Sequence, residues 1–522
     1  MKKLPTNISD FEKLITEGYL YIDKTKDIYN LISQSENYFI CRPRRFGKSL
    51  LVSTFECLFS GKKELFKDLW IYDKYNFKEY PVIKFDFSSI KASSANKLDK
   101  ALMEIVTDLA DQHNVDVSKF SDLNGKFKSL LEQLHKSRGP IVILIDEYDD
   151  PIVKNLRDLK LANEIRCVLI EFFKAIKSEN KYLKFVFVTG ITKFSKETIF
   201  SGMNNLFDLS LSVHGATLLG YTQQELEYFF KDYISIMAEK EVKSIENIKS
   251  DIKNWYNGYR FSVEDVRVYN PQSIINYFFE KRLENYWIET ANKQLVLDII
   301  KKDPNLLRTI DQELPDKEYL TMLELENIQL VPILFQTGYL TIKEFYYENP
   351  KTKEGIYYTI KTPNREIEKT LDRYLLIAYL NVDFGRSGTL LRQIYDAISQ
   401  QNWDIFFNKI QELFANIPYQ LHTQQESYYH SIMQIICSLM PFTATSEIST
   451  DKGRIDMVIE TDNNIDLFEF KFNSEVEQAL KQIEDRKYYQ RYLALNKPIT
   501  LVGASFIKSK NSFEIKWLAK KL

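Results

Sequence analysis

The segment Arg42-Pro43-Arg44-Arg45-Phe46-Gly47-Lys48-Ser49 constrains this chain more than any other. It follows Tyr38-Phe39-Ile40-Cys41, which reads as a strand, and precedes Leu50-Leu51-Val52, which reads as the start of a helix. A strand, loop and helix in that order, with Gly-Lys-Ser at the turn, aim backbone N–H groups and a positive helix end at a polyanion. Lys48 is then placed to reach β/γ-phosphates and the Ser49 hydroxyl to reach a magnesium ion. Arg44, Arg45 and Gly47 complete the candidate phosphate-binding set. The full pattern is G-x-x-x-x-G-K-[ST], and here Arg42 stands at its first glycine. A surface Gly-Lys-Ser turn is the alternative that this segment alone leaves open.

Pro140-Ile141-Val142-Ile143-Leu144-Ile145-Asp146-Glu147 is a continuous apolar run ending in two carboxylates. Such a run fits a strand buried on both faces of a parallel sheet, its carboxyl end at a ligand crevice. Asp146 is the candidate magnesium ligand, directly or through water, and Glu147 the base that polarises the attacking water. Phosphoryl transfer needs that division of roles. A core strand followed by a solvated acidic turn is the plainer alternative. A third run, Lys184-Phe185-Val186-Phe187-Val188-Thr189-Gly190, ends in a polar tip, with Thr192 and Lys193 just beyond. In ATPases of this layout such a tip senses the γ-phosphate, so Thr189, Thr192 and Lys193 join the candidates, with a Gly-containing strand-end turn as the alternative for each.

At 522 residues the chain is long enough for about three domains, and 44% hydrophobic residues supply their cores. A net charge of −2 excludes a surface coated in positive charge but not a local nucleic-acid groove, because the field follows the distribution of charge. Cys41, Cys57, Cys167 and Cys437 are scattered, with no pair at metal-ligand spacing. The N-terminus lacks a signal-like apolar stretch, and no run approaches the roughly 18 apolar residues that span a bilayer. The expectation is a soluble, cytoplasmic protein with no membrane partner.

Residues 1–215 alternate strand-like and helix-like segments, as in an α/β domain. From 216 to 375 the pattern turns helical over Gln223–Met237 and Asn292–Lys302, with late strands over Tyr339–Glu344 and Ile356–Ile360, and reads as a helical or winged-helix-like lid. Residues 376–522 follow as connector and C-terminal domain. Leu371–Leu380 and Leu390–Leu413 read as helices, with Gly385 and Gly388 marking the break between them.

A second site is written near the C-terminus. Gly453–Glu460 and Ile465–Lys471 form a hairpin around Thr461-Asp462-Asn463-Asn464. Asp456 lies on its first strand; Glu469 and Lys471, two apart, share a face of the second. Two carboxylates chelate a divalent ion at a scissile phosphate, and a lysine stabilises or helps generate the attacking hydroxide. Charges on so apolar a strand need partners, of which a metal is one and an ion pair another. Upstream, Glu426 and His430 share a helix face, which makes Glu426 the candidate third carboxylate. Downstream, Gln482 and Tyr489 are placed to meet the site or a nucleic-acid backbone. Truncating Asp456 is expected to leave folding intact, since it relieves carboxylate crowding.

These residues carry a resemblance. The chain resembles bacterial proteins with an AAA-ATPase-like N-terminal region and a C-terminal PD-(D/E)XK nuclease-superfamily domain. The shared motifs are Tyr21–Thr25, Arg42–Ser49, Leu144–Asp149, Phe200–Leu206, Trp255–Phe261, Tyr269–Pro271, Gln336–Thr341, Glu426 with His430, Gly453–Asp456, Glu469–Lys471 and Gln482. The resemblance implies an α/β P-loop NTPase domain with a parallel sheet, a helical or winged-helix-like lid and an α/β nuclease-like domain. It accounts for Arg42, because R-P-R-R-F-G-K-[ST] is the family's own phosphate loop. It implies ATP and magnesium as cofactors, with manganese as an alternative at the nuclease site, and nucleic acid, DNA or RNA, as the partner. A homo-oligomer stays open. Asp23 is a candidate to approach the nucleotide, and Arg260 a candidate γ-phosphate sensor.

An ATP-regulated nuclease in genome defence or mobile-element conflict is the first functional reading. A nucleotide-switched scaffold whose nuclease-like domain only binds is the second, and a helicase-like motor the third. No run of helicase motifs and no evident translocation track supports the third.

Overall fold

The computed structural model describes the chain except residues 35–36, 195–204, 288–295, 298–299, 301–312, 315–316, 327, 350, 353, 381–383, 416–425, 441, 451–452 and 509–512. It also leaves out some flanking side chains, Glu426 among them. The chain divides into two compact units, residues 1–291 with 309–367, and residues 292–308 with 368–522. Among the described residues no helix is long and apolar enough to cross a membrane.

The first unit is built on β1 (Asn37–Cys41), β2 (Val82–Asp86), β3 (Ile141–Asp146), β4 (Leu183–Gly190) and β5 (Phe207–Asp208). They lie in the order β2-β3-β4-β1-β5 with every pairing parallel. β1 and β3 are buried along their whole length, which explains their unbroken apolar character. The order sets β4 between the strand that feeds the phosphate loop and the strand that ends in Asp146. The carboxyl ends of all three therefore meet at one crevice.

The helical part belongs to the same unit. Leu226, Phe230, Ile234, Ile248, Ile252 and Tyr277 form a core that also takes in Leu20 and Ile22 from near the N-terminus. The helix expected over Gln223–Met237 is two, Gln223–Phe229 and Lys231–Glu241, the first opened by a capping box between Thr222 and Glu225. β6 (Tyr259–Arg260) pairs with β7 (Arg267–Val268). β8 (Glu313–Leu314), β9 (Thr341–Asn349) and β10 (Glu354–Lys361) form a small antiparallel sheet. The helix expected over Asn292–Lys302 lies largely outside the described residues.

The second unit carries β11 (Thr443–Thr450), β12 (Gly453–Glu460), β13 (Ile465–Phe472), β14 (Ile499–Lys508) and β15 (Phe513–Lys521), in chain order. The β13–β14 pair is parallel and the rest antiparallel. That parallel pair needs a crossover, supplied by the helix Val476–Arg486. The helix packs so close that a Cβ on Gly503 would come within 2.6 Å of Leu480 N. The break expected at Gly385 and Gly388 falls just before them, between the helices Arg365–Leu380 and Phe384–Ser399, with residues 381–383 outside the described residues. The helix expected over Leu390–Leu413 is two, Phe384–Ser399 and Trp403–Ala415, parted where Gln401 takes a left-handed φ of 55° and the Asn402 side chain accepts from Ile405 N to start the second.

Candidate nucleotide and nuclease sites

The phosphate loop leaves β1 and enters the helix Lys48–Phe59 through Gly47, its N-cap at φ 92°, with Arg45 also left-handed at φ 67°. Such a loop turns successive N–H groups inward as an anion nest. The buried Lys48 ammonium donates to the carbonyls of Arg42 at 3.0 Å and Pro43 at 3.2 Å. Burial lowers its pKa, while the charges of Glu147, Asp146 and Asp149 pull it back up. Arg42 points away. Its guanidinium is buried, donates to the carbonyls of Cys41 and Ser210 at 2.8 Å and of Gly215 at 2.6 Å, and lies 4.0 Å from the centre of the Phe261 ring. Burial lowers its pKa to about 9. The glycine position is thus occupied by a brace for the end of β1.

The acidic strand ends in a tight network. The Thr189 hydroxyl donates to Asp146 and accepts from Glu147 N at 3.2 Å, and Glu147 sits at φ 50°. Burial raises the Glu147 pKa, and Lys48 offsets part of that rise. Asp149 accepts from Ile191 N at 3.1 Å, from Thr192 N at 2.7 Å and from the Thr192 hydroxyl. Lys193 is paired with Asp208 at 2.5 Å.

A cavity of about 490 Å³ opens above this network, a volume suited to a nucleotide. Arg44, Arg45, Gly47, Lys48, Ser49 and Glu147 line it, together with the largely apolar Ile8, Tyr21, Leu219, Tyr221 and Ile275. Asp146 and Thr189 stand behind Glu147 rather than on the wall.

In the second unit the paired register of β12 with β13 runs from Glu460↔Ile465 to Met457↔Phe468. Beyond it the Asp456 carboxylate accepts from Phe470 N at 2.8 Å, so this side chain ties the two strands where ladder pairing stops. Ile465 and Leu467 lie in the core beneath the helix Val476–Arg486, and Glu469 continues their face. It is 1% exposed, lies 3.1 Å from Lys471 Nζ and accepts from Gln482 Nε2. His430 Nε2 lies 2.9 Å from the Asp456 carbonyl oxygen, which fixes the helix Glu426–Ser438 on β12.

The donor atoms fit hard divalent ions: hydroxyl and carboxylate oxygens at Ser49 and Asp146, and carboxylates at Asp456 and Glu469. Among the described residues no group of three His, Cys, Asp or Glu side chains converges. The third carboxylate expected there, Glu426, has its side chain outside the described residues.

Comparison with known proteins agrees with both halves. Residues 5–200 match a family model described as "Predicted AAA-ATPase", and residues 424–517 match the PD-(D/E)XK nuclease superfamily. An "Uncharacterized protein in vnfD 5'region" of Azotobacter chroococcum mcd 1 is 31% identical over 525 residues, covering 98% of each chain. The chain belongs to this family of AAA-ATPase-like proteins with a C-terminal PD-(D/E)XK nuclease-superfamily domain. Two solved structures, both 12% identical, also match. The Aeropyrum pernix ORC1 protein in complex with DNA has a TM-score of 0.25, covering 69% of this chain and 96% of that one. The Aeropyrum pernix ORC2 protein in ADPNP-ADP complexes has a TM-score of 0.29, covering 70% and 97%. Overlays this loose carry no weight for function.

In this AAA-ATPase-like chain the motifs that sequence left without a task acquire one. Tyr21 lines the cavity, while Asp23 accepts from Thr25 N and Trp70 N, both at 2.8 Å, and so serves as a turn and cap rather than approaching the nucleotide. Lys24 is held by Glu225 at 2.6 Å. Arg260 does not line the cavity, and its guanidinium donates to carbonyls that include Ser262 at 3.0 Å and Glu264 at 3.1 Å. Tyr259 and Phe261 hold the Phe46 ring edge-on, with centres 4.9 and 5.5 Å away, and Gly338, at φ +90°, leaves room for Pro43, which a Cβ would meet at 2.9 Å. Asn270 caps the helix Pro271–Glu280 and donates to the Arg44 carbonyl at 3.3 Å. The Asn-Pro cap signature was readable in sequence; its contact with the phosphate loop was not. Thr192 and Lys193 are consumed by Asp149 and Asp208. Tyr489 packs into the core around Ile483 instead of facing the site, and Phe200–Leu206 lies mostly outside the described residues. The expectation for Asp456 also changes, because its removal leaves Phe470 N–H without its carboxylate.

Proposed function

We propose that this chain binds and hydrolyses ATP at the cavity above β1 and β3 and cleaves nucleic acid at the Asp456–Glu469–Lys471 site, as a cytoplasmic ATP-regulated nuclease of genome defence or mobile-element conflict. Residues 1–215 form the ATPase domain, 216–375 its lid region, and 376–522 the connector and nuclease domain. One observation carries the reading: Lys48 and Ser49 of the phosphate loop and Glu147 after β3 line one nucleotide-sized cavity that apolar side chains also line.

In the ATPase step a water oxygen bonds to the γ-phosphorus as one of its protons passes to Glu147. The bond from that phosphorus to the β–γ bridging oxygen breaks, its electron pair staying on ADP. Lys48 and the loop N–H groups hold the phosphates. Ser49, with Asp146 directly or through water, would hold a magnesium ion, which would supply charge neutralisation at the β/γ oxygens. Thr189 acts from behind by fixing Asp146 and the Glu147 backbone. In the nuclease step Asp456 and Glu469 would hold magnesium or manganese, the ion supplying charge neutralisation at the scissile phosphate. Lys471 steadies the attacking hydroxide or the pentacovalent charge.

The test is incubation of purified protein with plasmid, single-stranded DNA and RNA, with and without divalent metal and ATP, reading cleaved ends and released phosphate. A second reading, a nucleotide-switched scaffold, draws on one observation: Asp456 and Glu469 already have partners within the protein. Phosphate release without cleavage of any of the three substrates favours it.

A further inference from the structure

Five cations line the nucleotide cavity: Lys24, Arg44, Arg45, Lys48 and Lys154. Lys24 is paired with Glu225 at 2.6 Å and Lys154 with Asp150 at 2.5 Å. Lys48 rests on its own loop carbonyls, and Arg45 donates to Asn7 Oδ1 at 3.2 Å, which turns it toward the N-terminal segment. Arg44 differs. Among the described residues its guanidinium has neither a hydrogen bond nor an ion pair, although it is half-buried beside acidic groups. Its charge is felt at Asp150, whose carboxyl is raised by burial and lowered by Lys154 and then by Arg44. Glu147 and Asp150 line the same cavity, and the Arg44 guanidinium is thus within electrostatic reach of Asp150. Its backbone is fixed on three sides, by Asn270 on its carbonyl, by Gly338 against Pro43 and by the aromatic pair around Phe46.

We propose that Arg44 is a catalytic residue that stabilises the γ-phosphoryl group in the transition state, so that the phosphate loop supplies within one chain the arginine that many NTPases borrow from a partner subunit. The proposal rests on the ATPase reading above. Phosphoryl transfer spreads negative charge over the three γ oxygens, and a planar guanidinium with several donors suits them better than an ammonium. A guanidinium with no hydrogen bond or ion pair among the described residues breaks none when it turns to that charge. It follows that turnover needs no second copy of the chain.

The experiment compares wild type with Arg44→Ala and Arg44→Lys. It measures ATP affinity and the affinity for ADP with magnesium and aluminium fluoride by calorimetry, and turnover per chain across a hundredfold range of protein concentration. Expected are a fall in kcat of about 10³-fold for Arg44→Ala, from the range known for arginine fingers, with ATP affinity changed less than about fivefold. Tight binding of the aluminium fluoride complex should be lost, Arg44→Lys should recover only part of either effect, and wild-type turnover per chain should not depend on concentration. An unchanged kcat in Arg44→Ala overturns the proposal. So does an ATP affinity that falls by the same factor as kcat/KM, which marks a ground-state contact, and so does turnover that rises with concentration while Arg44→Ala keeps it. Wild type that does not bind ATP at all defeats the ATPase reading itself and the proposal with it. Binding and turnover in wild type with an indifferent Arg44→Ala defeats the proposal alone.

Discussion

Glu366 offers a test of how the first unit holds together that is independent of any assigned activity. Its fully buried carboxylate accepts from Ser273 Oγ at 2.9 Å, Tyr286 N at 2.8 Å and Trp287 N at 2.9 Å. Burial raises its pKa from 4.5 to about 8, and those donors, which favour the charged form, hold the rise down. The sign follows from proton counting. Between pH 4.5 and 8 the folded chain keeps a proton that the unfolded chain has released, so this group's contribution to stability falls as pH rises through that window. The gap of about 3.5 corresponds to about 5 kcal/mol in full, about 3 kcal/mol of it spent by pH 7. Glu366→Gln keeps the shape: its oxygen can accept the two backbone N–H groups while its amide faces Ser273, and nothing titrates. Urea unfolding followed by the fluorescence of buried Trp287 should show the variant gaining about 3 kcal/mol on wild type from pH 4.5 to 7. A difference that stays flat from pH 5 to 8 would refute the argument, because the carboxylate would then be ionised in the folded chain.

The remaining tests bear on the two sites. Lys48→Ala should abolish ATP binding measured by calorimetry, whereas Glu147→Gln should retain ATP and slow phosphate release, having lost the base and kept the metal ligand. Asp456→Ala should abolish cleavage and lower stability by about 1.5–3 kcal/mol through loss of the charged acceptor for Phe470 N, while Asp456→Asn should recover stability in urea titrations without recovering cleavage. Gly338→Ala, strained at a left-handed φ and pressing on Pro43, should cost about 1–2 kcal/mol and weaken ATP binding several-fold; unchanged nucleotide affinity would separate that contact from the phosphate loop. If nucleotide and nucleic-acid sites are coupled, ATP affinity of Asp456→Ala protein must shift with DNA or RNA by the factor by which ATP shifts nucleic-acid affinity, and identical affinities would mean two independent sites.

What could be read from sequence was whatever local spacing encodes. β1, β3 and β4 were legible because strands buried on both faces must be continuously apolar. The hairpin holding Asp456 and Glu469 was legible because its turn residues and its period of two are local. What could not be read depends on partners far along the chain. Arg42 looked like a defect in a phosphate loop, and its purpose needs the carbonyls of Ser210 and Gly215, some 170 residues away. Thr189 pointed toward the right crevice, but its side chain serves Asp146 and Glu147, a choice that strand order makes and sequence does not show. Gly385 and Gly388 marked the boundary between Arg365–Leu380 and Phe384–Ser399 to within a few residues, whereas the second boundary, at Gln401 and Asn402, has no glycine or proline to announce it.

The same long-range construction says where a nucleotide would be felt. Leu20 and Ile22 line the cavity and also belong to the helical core that holds Phe230, Ile252 and Tyr277. Tyr221 and Ile275 line the cavity from the helical part, and Asn270, the cap of the helix Pro271–Glu280, touches the phosphate loop directly. A ligand there contacts the parallel-sheet side through Lys48 and Glu147 and the helical side through these residues at once. It stabilises the joint arrangement by its binding energy, a linkage that requires no separate lever. Under the lid reading proposed above, this shared wall is where the helical part would move against the parallel-sheet side. The Lys24–Glu225 ion pair joins the segment before Thr25 to the capping box at Thr222.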